Sequence, residues 1–125
     1  MSPEEAVERL NYVLAHAWMV RNFLKHADEV QEDEEMLEVH RLIFDSIRAV
    51  EPSRERGDCK QYLRRMQGKL PKLRRAAEFF AGDYRRVSTH TNFEMASVSL
   101  TGVVRHIEEV LAAVARAGTE VTPEE

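Results

Sequence analysis

The chain has one cysteine, Cys59. A lone thiol can form neither an intrachain disulfide nor a thiolate zinc cage. Five glycines and four prolines in 125 residues leave few turn-formers, which argues against a sandwich or barrel of many short strands. No apolar run approaches the ~20 residues of a membrane span. No charged-then-apolar leader opens the sequence, so no secretory signal is visible and a cytoplasmic location is expected. A Gly-rich phosphate loop and a nucleophile elbow are both missing. What is present is 43% hydrophobic and 32% charged residues. That composition suits one all-α domain.

Four helical segments follow from period and punctuation. The first opens on Ser2-Pro3-Glu4-Glu5, a cap, a first-turn proline and a capping box. Ala6, Leu10, Val13, Ala17, Val20 and Leu24 give it a stripe at alternating steps of three and four. The second runs from about Asp33 to Val50 on Met36, His40, Ile43, Ile47 and Val50. Glu51-Pro52 is expected to end it, since the residue before proline avoids the helical region. The third begins near Asp58 and carries the most regular stripe: Cys59, Leu63, Met66, Leu70, Leu73, Ala77, Phe80, Tyr84. Pro71 interrupts it in phase, which predicts a kinked helix rather than two helices. The fourth starts between Ser88 and Thr91, with Thr91 and Glu94 as the better capping box. Its stripe is Phe93, Ser97, Leu100, Val104, Ile107, Leu111 and Val114, and Gly118 stops it.

Short connectors favour antiparallel neighbours. The expected fold is therefore an up-down-up-down antiparallel four-helix bundle over residues 1–118, with its third helix kinked at Pro71. Residues 119–125 read as a disordered acidic tail.

The first helix carries two apolar faces. At 100° per residue, Leu10, Val13, Leu24 and Ala6 fall within ~40° of Ala17. Tyr12, Met19, Phe23 and His26 fall ~120–180° away, with His16 at the edge. This second stripe (Tyr12, His16, Met19, Phe23, His26) has heptad spacing of its own and no use inside a four-helix bundle. It predicts a subunit interface, most simply of a two-fold homodimer. Aromatic residues and Met are the types enriched at interface cores.

Charge is segregated. Asp28 to Glu38 holds seven acids and no base, and Cys59 to Ala77 holds seven bases and no acid. A basic helix invites nucleic acid. The net charge of −4 and the lack of interleaved aromatics weigh instead for a face that neutralises neighbouring helices or a partner.

Five histidines in a bundle invite a metal. Rise per residue and helical direction gather Arg21, His40 and His90 inside one end, with Glu94 close by. His40, His90 and Glu94 are the candidate metal ligands, for Fe or Zn. The His90…Glu94 pair with His40 resembles the mixed His/carboxylate set of hemerythrin-like bundles, although a second His pair is missing. The Glu-x-x-His pairs of ferritin-like di-iron bundles are not present. An inward Arg21 opposes a divalent cation at that height. The other reading is a buried polar cluster of Arg21, His40, His90 and Glu94, with Glu94 pairing Arg21 and the network fixing helix register.

Arg21-Asn22-Phe23-Leu24-Lys25-His26 resembles the Arg-Asn-x-x-x-His signature of HEPN-type ribonucleases. Arg85-Arg86-Val87-Ser88-Thr89-His90 has the same Arg-to-His spacing with Arg in the second position. The resemblance implies metal-independent RNA cleavage, with Arg holding phosphate and His assisting proton transfer. Residues five apart on a helix point ~140° apart, so Arg21 and His26 are not expected in one site of one protomer. Cys59, on a core stripe, reads as a packed thiol. With no complete catalytic set, the expected function is association: a homodimeric binding or regulatory module. Metal binding and HEPN-like ribonuclease activity stand as the alternatives.

Overall fold

The Ser2 hydroxyl accepts from the Glu5 amide, and Pro3 follows it in the first turn, where its missing N–H costs nothing. These residues start α1, Pro3–His26. A short helix α2, Asp28–Gln31, follows in the acidic stretch and buries Val30. Asp33 caps α3, Glu34–Glu55, by accepting from the Met36 amide. Asp58 caps α4, Cys59–Val87, by accepting from the Gln61 amide. Helix α5 spans Thr91–Arg116. The computed structural model describes residues 1–118, 121, 123 and 124, and the described residues are helical apart from the connectors and the last few positions.

Helix α1 packs against α3 and α5, α4 packs against the same two, and α1 reaches α4 across the middle. The molecule is a helical bundle with one continuous core, which holds Leu10, Leu24, Met36, Ile43, Leu63, Met66, Phe80, Leu100 and Ile107. Among the described residues no helix is long and apolar enough to cross a membrane.

Three expectations are corrected. Helix α3 does not stop at Glu51-Pro52 but continues to Glu55. Proline in a last turn removes a single donor, and the helix end is fixed elsewhere. Gly57, at φ +71°, lets its amide reach the Arg54 carbonyl and the Asp58 amide reach the Ser53 carbonyl. That paired reversal is the Schellman stop. Ser53 is buried and donates to Gln61 Oε1 at 3.0 Å, which ties the end of α3 to the start of α4. Helix α5 is capped by His90 rather than Thr91: its Nδ1 accepts from the Asn92 amide at 3.0 Å. In α1 the buried face holds Val7 and Leu14, and Val13 is only half-buried.

Pro71 lies inside an α4 that continues to Val87. The tail expected over 119–125 falls partly outside the described residues. Of those described, Val121 packs against the core and Glu124 meets Arg64 at 3.1 Å and Arg65 at 3.8 Å.

Candidate functional site

The α1 positions Tyr12 and Met19 are 66% and 67% exposed. His16 and His26 are exposed as well. Phe23 differs. It is half-buried and meets Phe93 edge-on, with ring centroids 5.0 Å apart at 71°. The stripe thus has one intramolecular use: its Phe23 end closes α1 against α5. An edge-to-face pair of this kind is worth about 1 kcal/mol beyond its buried area.

Helix α5 adds Met95, 50% exposed, and Val98, 62% exposed. Sequence reasoning did not single these out. Their signal was there, as apolar residues lying off the Phe93–Ser97–Leu100 stripe. Among the described residues, the exposed large hydrophobics are these two with Tyr12 and Met19. All lie on α1 or α5, so their distribution is not scattered. A groove of about 420 Å³ joins the two helices along His16, Met19, Phe23, Met95 and Ser99. Further along, a second groove brings Arg9 and Tyr12 beside His106 and Glu109. The result is an apolar ridge with polar flanks along the α1–α5 seam.

The polar cluster divides. Arg21 is half-buried, its guanidinium 4.8 Å from the Trp18 ring centre and 4.7 Å from that of Phe44. Two ring faces supply the attraction an acid would otherwise provide. Among the described residues the Arg21 Nε has no hydrogen-bond partner, and Nη1 makes a long bond of 3.4 Å to Asn22 Oδ1. His40 is half-buried nearby, with its Nδ1 unpartnered. Burial depresses the basicity of His40, and the positive charges of Arg21, Arg41 and Lys25 push it the same way.

His90 and Glu94 do not join them. Both are exposed at the start of α5. Glu94 makes no ion pair with Arg21 among the described residues, so the expected Arg21–Glu94 pair is replaced by Arg21 on Trp18 and Phe44. A helix continued backwards from α5 would turn His90 inward, but as a cap it has extended backbone, φ −67° and ψ 142°. The helical angle does not apply there. Among the described residues no three His, Cys, Asp or Glu side chains converge, so His40, His90 and Glu94 do not form a ligand set.

The ribonuclease spacing is likewise spread out. His26 is exposed and donates from Nδ1 to the Asn22 carbonyl at 2.9 Å, whereas Arg21 lies over the Trp18–Phe44 ring pair. The exposed Arg85 covers the Tyr84 ring at 4.8 Å, and His90 is engaged in capping. Cys59 is half-buried, and burial raises its thiol pKa, with Glu4 and Asp58 adding to the effect. A thiol so disposed is a poor nucleophile.

The basic run of α4 is partly answered from within the chain. Arg74 pairs with Glu108 at 3.0 Å, and Arg64 and Arg65 with Glu124. Arg86, at its end, holds Asp33 at 2.5 Å and Asp83 at 2.8 Å.

In comparisons with known proteins, no family model matches the chain, and neither a curated protein nor a solved structure shows significant similarity to it.

Proposed function

We propose that this chain is a small cytoplasmic module that acts by association, as a homodimer built on the α1–α5 seam. In this reading the bundle is an antiparallel up-down four-helix array with α4 bent at Pro71, and α2 is a turn in the first connector. The cross-links between helix ends support that topology. Phe23 meets Phe93, Ser53 meets Gln61, and Arg86 meets Asp33.

The observation that carries the dimer is that the exposed large hydrophobics among the described residues all fall on α1 and α5, with Met19 and Met95 lining one groove between them. A second copy is the occupant that fits best, because the α1 stripe is close to self-complementary. Two α1 helices crossing antiparallel at Met19 set Tyr12 opposite His26 and bring His16 and Phe23 within one residue of facing each other. An isologous contact requires that kind of reciprocity. The centre is then Met on Met, with aromatic residues to either side, the composition of an interface core.

Light scattering tests the reading. Wild-type protein should have the mass of two chains, and Met19→Asp and Tyr12→Asp the mass of one. Both side chains are exposed, so the substitutions spare the core. A wild-type mass of one chain, or a dimer unchanged by either substitution, refutes it.

A further inference from the structure

A third groove, of about 450 Å³, runs between α1 and α3 and has a different character. Its walls are mostly apolar, with Leu14, Trp18 and Met19 on one side and Ile47 and Val50 on the other, and Asn11 adds an amide on the α1 side. Tyr62 of α4 also lines it. Tyr62 is 1% exposed, yet among the described residues its hydroxyl has no hydrogen-bond partner. Burying a hydroxyl without a partner is unfavourable, so an orphan donor on a residue that lines a groove marks a place where an acceptor can dock. Burial raises the Tyr62 pKa far above the ordinary tyrosine range, with Arg54 acting weakly in the opposite sense. The hydroxyl is therefore a donor and wants an acceptor.

The charges at the same end define that acceptor. Arg54 lines the groove and makes no ion pair among the described residues. Glu51 also lines it, but is neutralised by Arg48 at 2.6 Å. A cation and an orphan donor thus stand together at one end of an apolar trough. The volume lies within the range of small-molecule sites, which combine apolar walls with a few placed polar groups.

We infer that this groove binds a small amphipathic monocarboxylate, its apolar body against Trp18, Leu14, Ile47 and Val50 and its carboxylate between the Tyr62 hydroxyl and Arg54. The carboxylate accepts from the phenol and takes the guanidinium as counter-ion. The apolar body removes alkyl or aryl surface from water. No bond is made or broken, so the site is a receptor and not a catalytic centre.

Trp18 is the only tryptophan in the chain and lies in the groove wall, so its fluorescence reports occupancy directly. Octanoate is the probe and octylamine the control of equal length and opposite charge. Octanoate should change Trp18 emission saturably, and octylamine should bind at least about tenfold more weakly. Tyr62→Phe and Arg54→Gln should each weaken octanoate by about tenfold, the worth of one hydrogen bond to a charged group. Tyr62→Phe removes an unpartnered hydroxyl and Arg54 is exposed, so both variants keep the fold, which circular dichroism checks. The inference is overturned by any of three results: no saturable change with octanoate, equal binding of octylamine, or unaltered octanoate affinity in both variants.

Discussion

At the scale of single residues, the informative groups are those whose charge the fold opposes or favours. His40 is opposed. Its pKa is lowered from 6.5, by burial first and by Arg21 next, so the folded chain prefers the neutral ring. The stabilising effect is complete above about pH 6.5 and is lost as pH falls through the depressed folded value. Replacing Arg21 by Met removes the larger of the nearby positive contributions. The His40 midpoint, followed by NMR of its ring protons, should therefore rise towards 6.5 in Arg21→Met, and by more than in Arg41→Met. A midpoint that moves only in Arg41→Met contradicts this ordering. Asp33 is favoured. Its hydrogen bond to Arg86 lowers its pKa from 3.8, and the cap it offers the Met36 amide adds to that. Here the stabilisation is present above 3.8 and is lost as pH drops through the lower folded value. Asparagine keeps the cap but not the charge. Asp33→Asn should therefore be less stable than wild type at neutral pH, and the two should converge in acid well below the ordinary aspartate value. A gap that persists unchanged in acid would mean the Asp33–Arg86 pair contributes nothing. Neither role was legible in sequence. Asp33 read as the start of a helix, but the Arg86 that pairs with it lies at the far end of α4, and spacing says nothing about such a meeting. Arg21 is expected inside the bundle against a carboxylate; it is half-buried against two aromatic rings, and periodicity cannot choose between those partners.

At the scale of helices, period was a good guide to interiors and a poor one to ends. All seven stripe residues expected in α5 are buried, from Phe93 to Val114. All but one of the α4 stripe are buried too, the half-buried Cys59 being the exception. The stripes were read too narrow. Tyr62, Ala76 and Leu14 lie one position from the expected residues and are also buried, because a helix with neighbours on two sides hides more than one row. Ends are set by local hydrogen bonding, which competes among adjacent residues. Ser2, Asp33 and Asp58 cap as their chemistry suggests, but His90 takes the place expected of Thr91. Proline at 52 looked decisive, yet Gly57 sets the stop five residues later. That assignment has a measurable consequence. Gly57 has a positive φ, and nothing lies within 4 Å of where a Cβ would stand. Gly57→Ala then pays only conformational strain, about 1–2 kcal/mol in thermal or urea denaturation. Gly82 is the counterpart: it lies inside α4, exposed, with ordinary helical backbone and open space around it. Gly82→Ala should stabilise by roughly 0.5–1 kcal/mol. If both substitutions act with the same sign, the assignment of Gly57 as the α3 stop is wrong.

At the scale of the whole molecule, the question is why a chain with a complete core carries a second apolar surface. The core needs only one face of each helix. An exposed Met or Tyr alone would need no explanation, since much of any protein surface is apolar. Four large apolar side chains on two adjacent helices, two of them (Met19 and Met95) lining one groove, are a different matter. Half of this surface was visible from the sequence, because α1 alone carries the Tyr12–His26 stripe. The α5 half was hidden, because Met95 joins it only when α5 is laid beside α1. If two copies bury this seam, folding and association are linked, and stability must depend on concentration. Each tenfold rise in protein concentration then adds about 1.4 kcal/mol per mole of dimer, because the unfolded chains gain from dilution and the dimer does not. For a domain of this size, the melting temperature should climb by a few degrees per decade. Met19→Asp places a carboxylate at the two-fold centre, where it would face the identical carboxylate of the second copy. Its melting temperature should be lower than that of wild type and independent of concentration. Calorimetry over a hundredfold range distinguishes the cases. A wild-type melting temperature that stays flat across that range means that the seam remains in water and that two chains do not share it.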